Sequence, residues 1–208
     1  MWNDRYATPE YIFGTAPADF LRRVAPLIPA GAEVLCLADG EGRNSVWLAE
    51  RGCRVTATEP SANALAKARA LAAARDVAVD FRQVPVEDWD WRAEAFDAVA
   101  GIFIQFAGPD LRARIHAGIA HTLRPGGLVL LHGYALRQPA YGTGGPRDAA
   151  HLYDLPALRA DFPGWEVLVA QDHDADLNEG TRHVGRSALV DFVARKPGPG
   201  MDAAGALR

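Results

Sequence analysis

Residues 34–52, VLCLADGEGRNSVWLAERG, decide the fold of this chain. They begin with an apolar run typical of a buried strand, and an amphipathic helical pattern starts near Arg43. Gly40 and Gly42 stand between the two. Ligands of open α/β sheets bind beyond the carboxyl ends of the strands, where glycines allow close approach to the backbone and to the free NH groups of the next helix. The stretch therefore predicts a turn that binds a nucleoside or amino-acid group.

An acidic residue follows the second predicted strand. Glu59 ends the segment RVTATE, seventeen residues after Gly42. A carboxylate at this place can accept hydrogen bonds from both hydroxyls of a ribose. The nicotinamide fingerprint has a third glycine where this chain has Ser45. The pattern predicts an adenosine-containing cofactor and leaves a nicotinamide-dependent oxidoreductase as the alternative.

Short β-branched or leucine-rich runs alternate with helical patterns, which predicts a parallel sheet flanked by helices. The expected strands span 34–39, 54–59, 79–84, 97–103, 127–133, 165–171 and 186–194. The expected helices span 18–27, 43–51, 62–74, 110–122 and 155–161. Ser61 is placed to cap the third helix. We expect the last two strands to be antiparallel and joined by an acidic loop over 172–185.

The composition indicates a single domain with a small-molecule ligand. The 208 residues are 49% hydrophobic, which is enough apolar material for one sizeable core. The net charge of −4 and the absence of a basic stripe predict no nucleic-acid partner, and no apolar run is long enough to predict a membrane partner. Cys36 and Cys53 show no metal-ligand spacing, so we expect no metal and a cytoplasmic location.

We expect the domain to cover 1–196, with 1–30 forming an N-terminal lid, and a disordered tail over 197–208. The oligomeric state that the sequence allows is a monomer or a homodimer.

Five motifs carry a resemblance to a known family. They occur in the order WNDRY (2–6), VLCLADGEGRNS (34–45), VTATEPS (55–61), FDAVAGIFIQF (96–106) and LRPGGLVLLHGY (123–134). In these motifs the chain resembles the class I S-adenosylmethionine-dependent methyltransferases, and among them the tellurite-resistance and thiopurine methyltransferase type. The resemblance implies an α/β, Rossmann-like three-layer sandwich. Its sheet is seven-stranded and mostly parallel, with the last strand antiparallel beside the fifth. The implied cofactor is S-adenosyl-L-methionine.

The resemblance also implies a set of cofactor-binding residues. They are Asp39, Gly40, Gly42, Arg43, Asn44, Glu59, Pro60, Val86, Glu87, Ile102 and Ile104. The chain departs from the family pattern at three positions: relatives usually have acidic residues where Cys36 and Pro85 stand, and a glycine where Ala38 stands. These departures leave open a non-catalytic module that only binds S-adenosylmethionine.

Methyl transfer from a sulfonium is a direct displacement, which needs alignment and exclusion of water rather than a covalent residue. If the small-molecule acceptor ionises, as a thiol does, His183 can take its proton near neutral pH. Tyr11 and Tyr141 are candidates for the lid and acceptor pocket. A structural role for His183 and a core-covering role for Tyr11 remain open. The resemblance favours a thiol, selenium or tellurium acceptor.

Overall fold

The computed structural model describes residues 2–198, and the end of the expected tail lies outside them. The strands are β1 (Glu33–Cys36), β2 (Arg54–Thr58), β3 (Asp80–Arg82), β4 (Phe96–Ile102), β5 (Leu123–Tyr134), β6 (Glu166–Glu179) and β7 (His183–Arg195). The α-helices are α1 (Trp2–Arg5), α2 (Asp19–Val24), α3 (Arg43–Glu50), α4 (Ala62–Ala74), α5 (Pro109–Thr122) and α6 (Leu155–Asp161). Short 3-10 turns lie at Ala25–Leu27, Val86–Asp88, Gln138–Ala140 and Ala149–His151.

The sheet confirms the predicted fold class. Its seven strands have the order β3-β2-β1-β4-β5-β7-β6. The first five are parallel, and β7 runs antiparallel to both of its neighbours. The strand order reverses between β1 and β4, and a crevice for ligands forms beyond the carboxyl ends of strands at such a point.

Both faces of the sheet are buried under helices. Successive β1 side chains alternate between two hydrophobic clusters: Leu35 packs in the cluster that contains residues of α5, and Val34 and Cys36 pack in the cluster that contains residues of α2. This alternation follows from the two-residue period of a strand. It explains why the first strand is apolar throughout.

Helix α4 begins as the sequence predicts. The Ser61 hydroxyl accepts a hydrogen bond from the Ala64 NH at 3.1 Å, which confirms Ser61 as the N-cap. The predicted helix over 18–27 is α-helical only to Val24, and a 3-10 turn containing Pro26 completes it. Within residues 2–198, no helix is long and apolar enough to span a bilayer.

The prediction of an acidic loop over 172–185 was wrong, because most of this segment is β-strand. β6 and β7 form one long hairpin through this region, and only a short turn around Gly180 joins them. The aspartates alternate with less polar residues, so that Leu177 is buried on one face. On the other face the charge of Asp174 is paired with Arg137 at 2.5 Å. This two-residue alternation was a strand signal that the high charge concealed.

Candidate active site

A cavity of about 950 Å³ opens at the carboxyl ends of β1, β2 and β4, facing the β6–β7 hairpin. This volume is at the upper end of the range for small-molecule sites, and leaves room for a cofactor and a small acceptor. Most of the predicted site residues line it, namely Asp39, Gly40, Arg43, Asn44, Glu59, Pro60, Val86, Glu87, Ile102 and His183. Parallel strand ends thus bring together residues that are far apart in sequence.

The glycine turn has a left-handed backbone at several positions. Gly40 has a φ of 64° and Gly42 a φ of 86°. A Cβ at Gly42 would lie 2.8 Å from the Ala68 Cβ, so this glycine allows α3 to pack on α4 and does not line the cavity. Ala38 also has a positive φ, 45°, which explains why a glycine is the usual residue at that position.

Glu59 organises the turn. Its carboxylate accepts hydrogen bonds from the Gly40 NH at 3.0 Å and from the Ser61 NH at 2.9 Å. Burial raises the pKa of Glu59, although the two NH groups oppose the shift. The carboxylate therefore holds the glycine turn against the start of α4.

Asp39 is the second carboxylate of the turn. It accepts a hydrogen bond from the Ser45 hydroxyl. Burial nevertheless raises the pKa of Asp39 to about 7. A cationic group placed beside Asp39 would favour the ionised carboxylate, which makes this position suitable for an ammonium group of a ligand.

Arg43 and Asn44 line the cavity, but their side chains hold the N-terminal segment. The Asn44 Oδ1 accepts a hydrogen bond from the Ala18 NH at 3.0 Å. Arg43 Nη1 donates to the Phe13 carbonyl at 3.3 Å and lies 2.8 Å from Glu179 Oε2. The motif GEGRN therefore connects the glycine turn to the chain segment that covers it.

Glu41 is a residue of this motif that sequence reasoning missed. It is buried, it pairs with Lys67 Nζ at 2.7 Å, and it accepts a hydrogen bond from the Phe13 NH at 3.3 Å. Its position inside a turn of glycines was the only sequence signal, and that signal does not identify a partner 26 residues away.

The N-terminal segment covers one end of the cavity. Trp2 and Tyr6 stack with their ring centroids 5.8 Å apart, and both line the cavity together with Phe13. A Cβ at Gly40 would lie 2.9 Å from the Tyr6 hydroxyl. The Tyr6 side chain therefore packs directly against the glycine turn, and a lid role for residues 1–30 stays a prediction.

His183 begins β7 and lies in an aromatic wall of the cavity. Its ring centroid is 4.5 Å from that of Phe13 and 4.1 Å from that of Phe103. Its Nδ1 lies 3.5 Å from Glu179 Oε2. Burial lowers the pKa of His183, although Glu179 opposes the shift. The imidazole is therefore neutral at pH 7 and can accept a proton.

Two further groups lie near His183: Glu179, which sequence reasoning missed, and Tyr134, a tyrosine that the sequence offers as a candidate for the acceptor pocket. Burial would raise the pKa of Glu179, but the contact with His183 and the charge of Arg43 outweigh it and lower this pKa to about 2. The Tyr134 hydroxyl is buried, has no hydrogen-bond partner, and has a pKa raised to about 12 by burial and by the charge of Glu179. Tyr134 lines the cavity, so a ligand in the cavity can contact this side chain.

Three other predicted residues lie outside the cavity lining. The Tyr11 hydroxyl donates to the Lys67 carbonyl at 2.9 Å, and the Tyr141 hydroxyl donates to Asp174 Oδ2 at 2.6 Å. Ile104 is buried in the core against Gly101. Each of these three side chains contacts a group outside the cavity lining and therefore does not line the cavity. Residues 2–198 also contain no group of three or more side chains arranged to hold a metal ion.

Comparisons with known proteins agree with this geometry. Residues 34–127 match the family model of a methyltransferase domain. This match covers less than half of the chain and makes residues 34–127 similar to a methyltransferase domain. The matched segment runs from β1 into the start of β5, and so contains the glycine turn and Glu59.

The chain is similar to two curated enzymes. It is 38% identical over 108 residues to a ubiquinone biosynthesis O-methyltransferase of Xanthomonas axonopodis pv. citri, which is 51% of this chain and 45% of that protein. It is 35% identical over 101 residues to the enzyme of the same name from Alkalilimnicola ehrlichii, which is 48% of this chain and 40% of that protein. The chain therefore matches less than half the length of either relative.

Solved structures share the fold of this chain. TehB from Haemophilus influenzae superposes with a TM-score of 0.70 at 17% identity, covering 94% of this chain and 65% of that one. A chain from work on conversion of a disulfide bond into a thioacetal group during echinomycin biosynthesis has a TM-score of 0.73 at 18% identity, covering 91% and 85%. The 1,6-didemethyltoxoflavin-N1-methyltransferase of Burkholderia thailandensis, solved with S-adenosylhomocysteine bound, has a TM-score of 0.60 at 21% identity, covering 86% and 79%.

Proposed function

We propose that this chain transfers the methyl group of S-adenosylmethionine to a small molecule whose reacting atom carries an acidic proton. One observation supports this most strongly: Glu59, which follows β2 and is hydrogen-bonded to the glycine turn, lines the same cavity as the neutral imidazole of His183. The first is suited to ribose hydroxyls and the second to the proton of an acceptor. A cofactor site and a proton acceptor in one enclosure are what methyl transfer to an ionising group requires.

The predicted cofactor residues fit the group by chemistry. Glu59 would accept hydrogen bonds from the ribose, Pro60 and Val86 would flank the adenine, and Gly40 and Ile102 would face the methionine part. When bound, S-adenosylmethionine supplies a methyl carbon activated by a positively charged sulfur. Asp39 is placed to balance positive charge on that ligand, at the cost of releasing its own proton.

The acceptor side is built to position and to remove a proton. In the displacement, a bond forms between the acceptor atom and the methyl carbon, the carbon–sulfur bond breaks, and the acceptor's proton passes to His183. Since Nδ1 faces Glu179, the ring nitrogen available to the acceptor is Nε2. Phe13 and Phe103 enclose the ring and exclude water, which favours the displacement over side reactions.

A thiol, selenium or tellurium centre is the acceptor that we favour. The support is the motif resemblance to the tellurite-resistance type together with the likeness of fold to TehB. A soft, readily ionised atom also suits a neutral histidine base, since a free thiol ionises near pH 8.5. We further propose that the protein acts in the cytoplasm as a monomer or homodimer, without a nucleic-acid partner.

Calorimetric titration with S-adenosylhomocysteine tests the cofactor, with NAD as the parallel ligand. We expect binding of the first ligand alone, weakened at least tenfold by Glu59→Ala, a loss of about 1.4 kcal/mol or more. Glu50→Ala is the matched control, because Glu50 lies at the far end of α3 and pairs with Arg75. Binding of NAD instead would support the oxidoreductase alternative, and binding of neither would end the proposal.

Turnover separates an enzyme from a binding module. The protein is incubated with methyl-labelled S-adenosylmethionine and, in separate arms, with 2-mercaptoethanol, benzeneselenol, benzenetellurol or phenol. Labelled product in a sulfur, selenium or tellurium arm supports the favoured acceptor class, and product with phenol alone contradicts it. Cofactor binding without product in any arm would favour the non-catalytic module.

A further inference from the structure

We propose that Glu179 is a positioning residue for His183, and that Arg43 ties this pair to the glycine turn. The inference rests on the proposed methyl transfer, in which His183 takes the acceptor's proton. Glu179 carries no role in the motif resemblance. Its importance emerges only from where the hairpin places it.

Glu179 and His183 face each other across the end of the hairpin. They are direct partners in the antiparallel pairing of β6 with β7. Facing side chains of such a pair have their Cβ atoms about 5 Å apart, which is within reach of a carboxylate and an imidazole. Both side chains are about nine-tenths buried, so water does not screen the contact.

The turn between them is fixed by the N-terminal segment. Gly180 has a φ of 67°, and a Cβ there would lie 2.4 Å from the Ile12 carbonyl oxygen. The Thr181 NH donates to that carbonyl at 2.9 Å. The distance between Glu179 and His183 is therefore set by packed backbone on both sides.

The contact between Glu179 and His183 is close but longer than a good hydrogen bond. The 3.5 Å separation of Oε2 and Nδ1 exceeds that of a good hydrogen bond, and Nδ1 is buried without a hydrogen-bond partner, whereas Oε2 is paired with Arg43. Catalytic hydrogen bonds are often long in ligand-free proteins and tighten in the complex. A shift of less than 1 Å would complete this one.

Arg43 connects the pair to the cofactor side. It is the first residue of α3, directly after Gly42, and its side chain is 6% exposed. Its Nη1 lies 2.8 Å from Glu179 Oε2 and forms an ion pair with it. Movement of the glycine turn on loading would therefore be transmitted to the carboxylate that faces His183.

The chemical role of Glu179 is to select one tautomer. A carboxylate facing Nδ1 favours the proton on that nitrogen and leaves the Nε2 lone pair toward the cavity. The other groups around the ring have different effects. Arg43 and His132 disfavour a positive imidazolium, and the neutral Tyr134 hydroxyl borders the same wall. Glu179 is the anionic group that opposes burial and supports protonation of His183.

The decisive measurement is an NMR titration of the imidazole nitrogens in ¹⁵N-histidine-labelled protein, without cofactor. We expect wild-type His183 to be protonated mainly at Nδ1 in its neutral form. In Glu179→Gln, the pKa of His183 should fall, because the opposing negative charge is removed. The matched control is Glu41→Gln, which removes a second buried glutamate of an ion pair and should leave the pKa of His183 in place.

Turnover with the most active acceptor of the screen, starting with 2-mercaptoethanol, completes the test. Glu179→Gln should lower kcat by tenfold or more while changing S-adenosylhomocysteine affinity by less than threefold. Glu179→Asp should recover part of both readouts, because it retains the charge beside Arg43. It also serves as the test variant if Glu179→Gln does not fold.

The possible failures are distinguishable. An unchanged His183 pKa in a folded Glu179 variant, or a shifted pKa with unchanged kcat, overturns the positioning role. A pKa shift in a protein that binds no S-adenosylhomocysteine would overturn the proposed function, while the coupling of Glu179 to His183 would stand.

Discussion

Two buried clusters in this protein combine a carboxylate with histidine, and they differ in how completely they are satisfied. Asp191 lies 2.7 Å from His132 Nδ1 and 3.0 Å from His173 Nε2, and it also pairs with Arg23. Glu179 Oε2 pairs with Arg43 Nη1 at 2.8 Å but lies 3.5 Å from His183 Nδ1, which has no hydrogen-bond partner. The carboxylate of the first cluster is within hydrogen-bond distance of both of its histidines, and that of the second cluster is too far from His183 for a good hydrogen bond.

The surroundings of the two clusters explain the difference. His132 stacks on Phe20 with a centroid distance of 4.9 Å, beneath the cavity rather than on its wall. His183 lines the cavity, and the unpaired hydroxyl of Tyr134 is close to it. Buried polar groups in proteins are nearly always paired, so a concentration of unpaired groups at a cavity indicates a place that a ligand completes. We therefore assign the Asp191 cluster to stability, and we propose a functional role for the His183 cluster.

The largest effect is expected from Asp191→Ala. It leaves His132 buried without its partner and removes the anion beside Arg23. Breaking a buried pair costs about 3 to 5 kcal/mol, and we expect a loss near the lower figure because Arg23 is half exposed. Denaturant unfolding measures it. Asp90→Ala, which removes an exposed pair with Arg92, should change stability by less than about 0.5 kcal/mol. Similar losses of stability in Asp191→Ala and Asp90→Ala would contradict a stabilising role for the Asp191 cluster.

The second effect is on turnover. His183→Gln should lower kcat about a hundredfold, because the acceptor loses its proton acceptor, which corresponds to about 2.7 kcal/mol. The free energy of unfolding should change by about 1 kcal/mol or less. His173→Gln is the counterpart in the other cluster, and should reduce stability while leaving kcat within twofold. If the two variants exchange these effects, the assignment of the clusters is reversed.

The third effect concerns acid stability. The pKa of Glu179 falls from 4.5 to about 2 on folding, so the unfolded chain binds more protons between these values. The stability that Glu179 contributes is therefore present above about pH 4.5 and is lost as the pH falls toward 2, with an amplitude of about 3 kcal/mol. The stability difference between wild type and Glu179→Gln should shrink over this window. A constant difference would show that Glu179 does not titrate with folding.

The smallest effect is expected from Tyr134→Phe. The substitution removes a buried hydroxyl that has no partner, so stability should stay constant or rise by up to about 1 kcal/mol. The KM for the acceptor should rise severalfold if the hydroxyl binds it. Tyr153→Phe is the control, since Tyr153 is buried in the core and does not line the cavity. A clear loss of stability in Tyr134→Phe would mean that the hydroxyl has a partner within the protein.

The sequence predicted the cofactor side of the cavity better than the acceptor side. The strand, the glycine turn, α3 and Glu59 form within one stretch of chain, where hydrophobic period and glycine placement are informative. The opposite wall of the cavity, which includes Phe13, Tyr134 and His183, combines the N-terminal segment, β5 and β7. These parts of the chain are far apart in sequence. Charge along 172–185 concealed the strands there, so the contact of Glu179 with His183 was not predicted, and His183 was proposed from its chemistry alone.

What the sequence alone determined is the parallel sheet, the turn with Gly40 and Gly42, the capped helix α4 and the acid at the end of β2. These depend on backbone preferences and side-chain periods that act over a few residues. The tertiary structure decided that Gly42 serves helix packing, that Arg43 pairs with Glu179, and that Tyr11 and Tyr141 leave the cavity. The partner of a buried charge or hydroxyl is set by which strands become neighbours, and that is a property of the whole sheet.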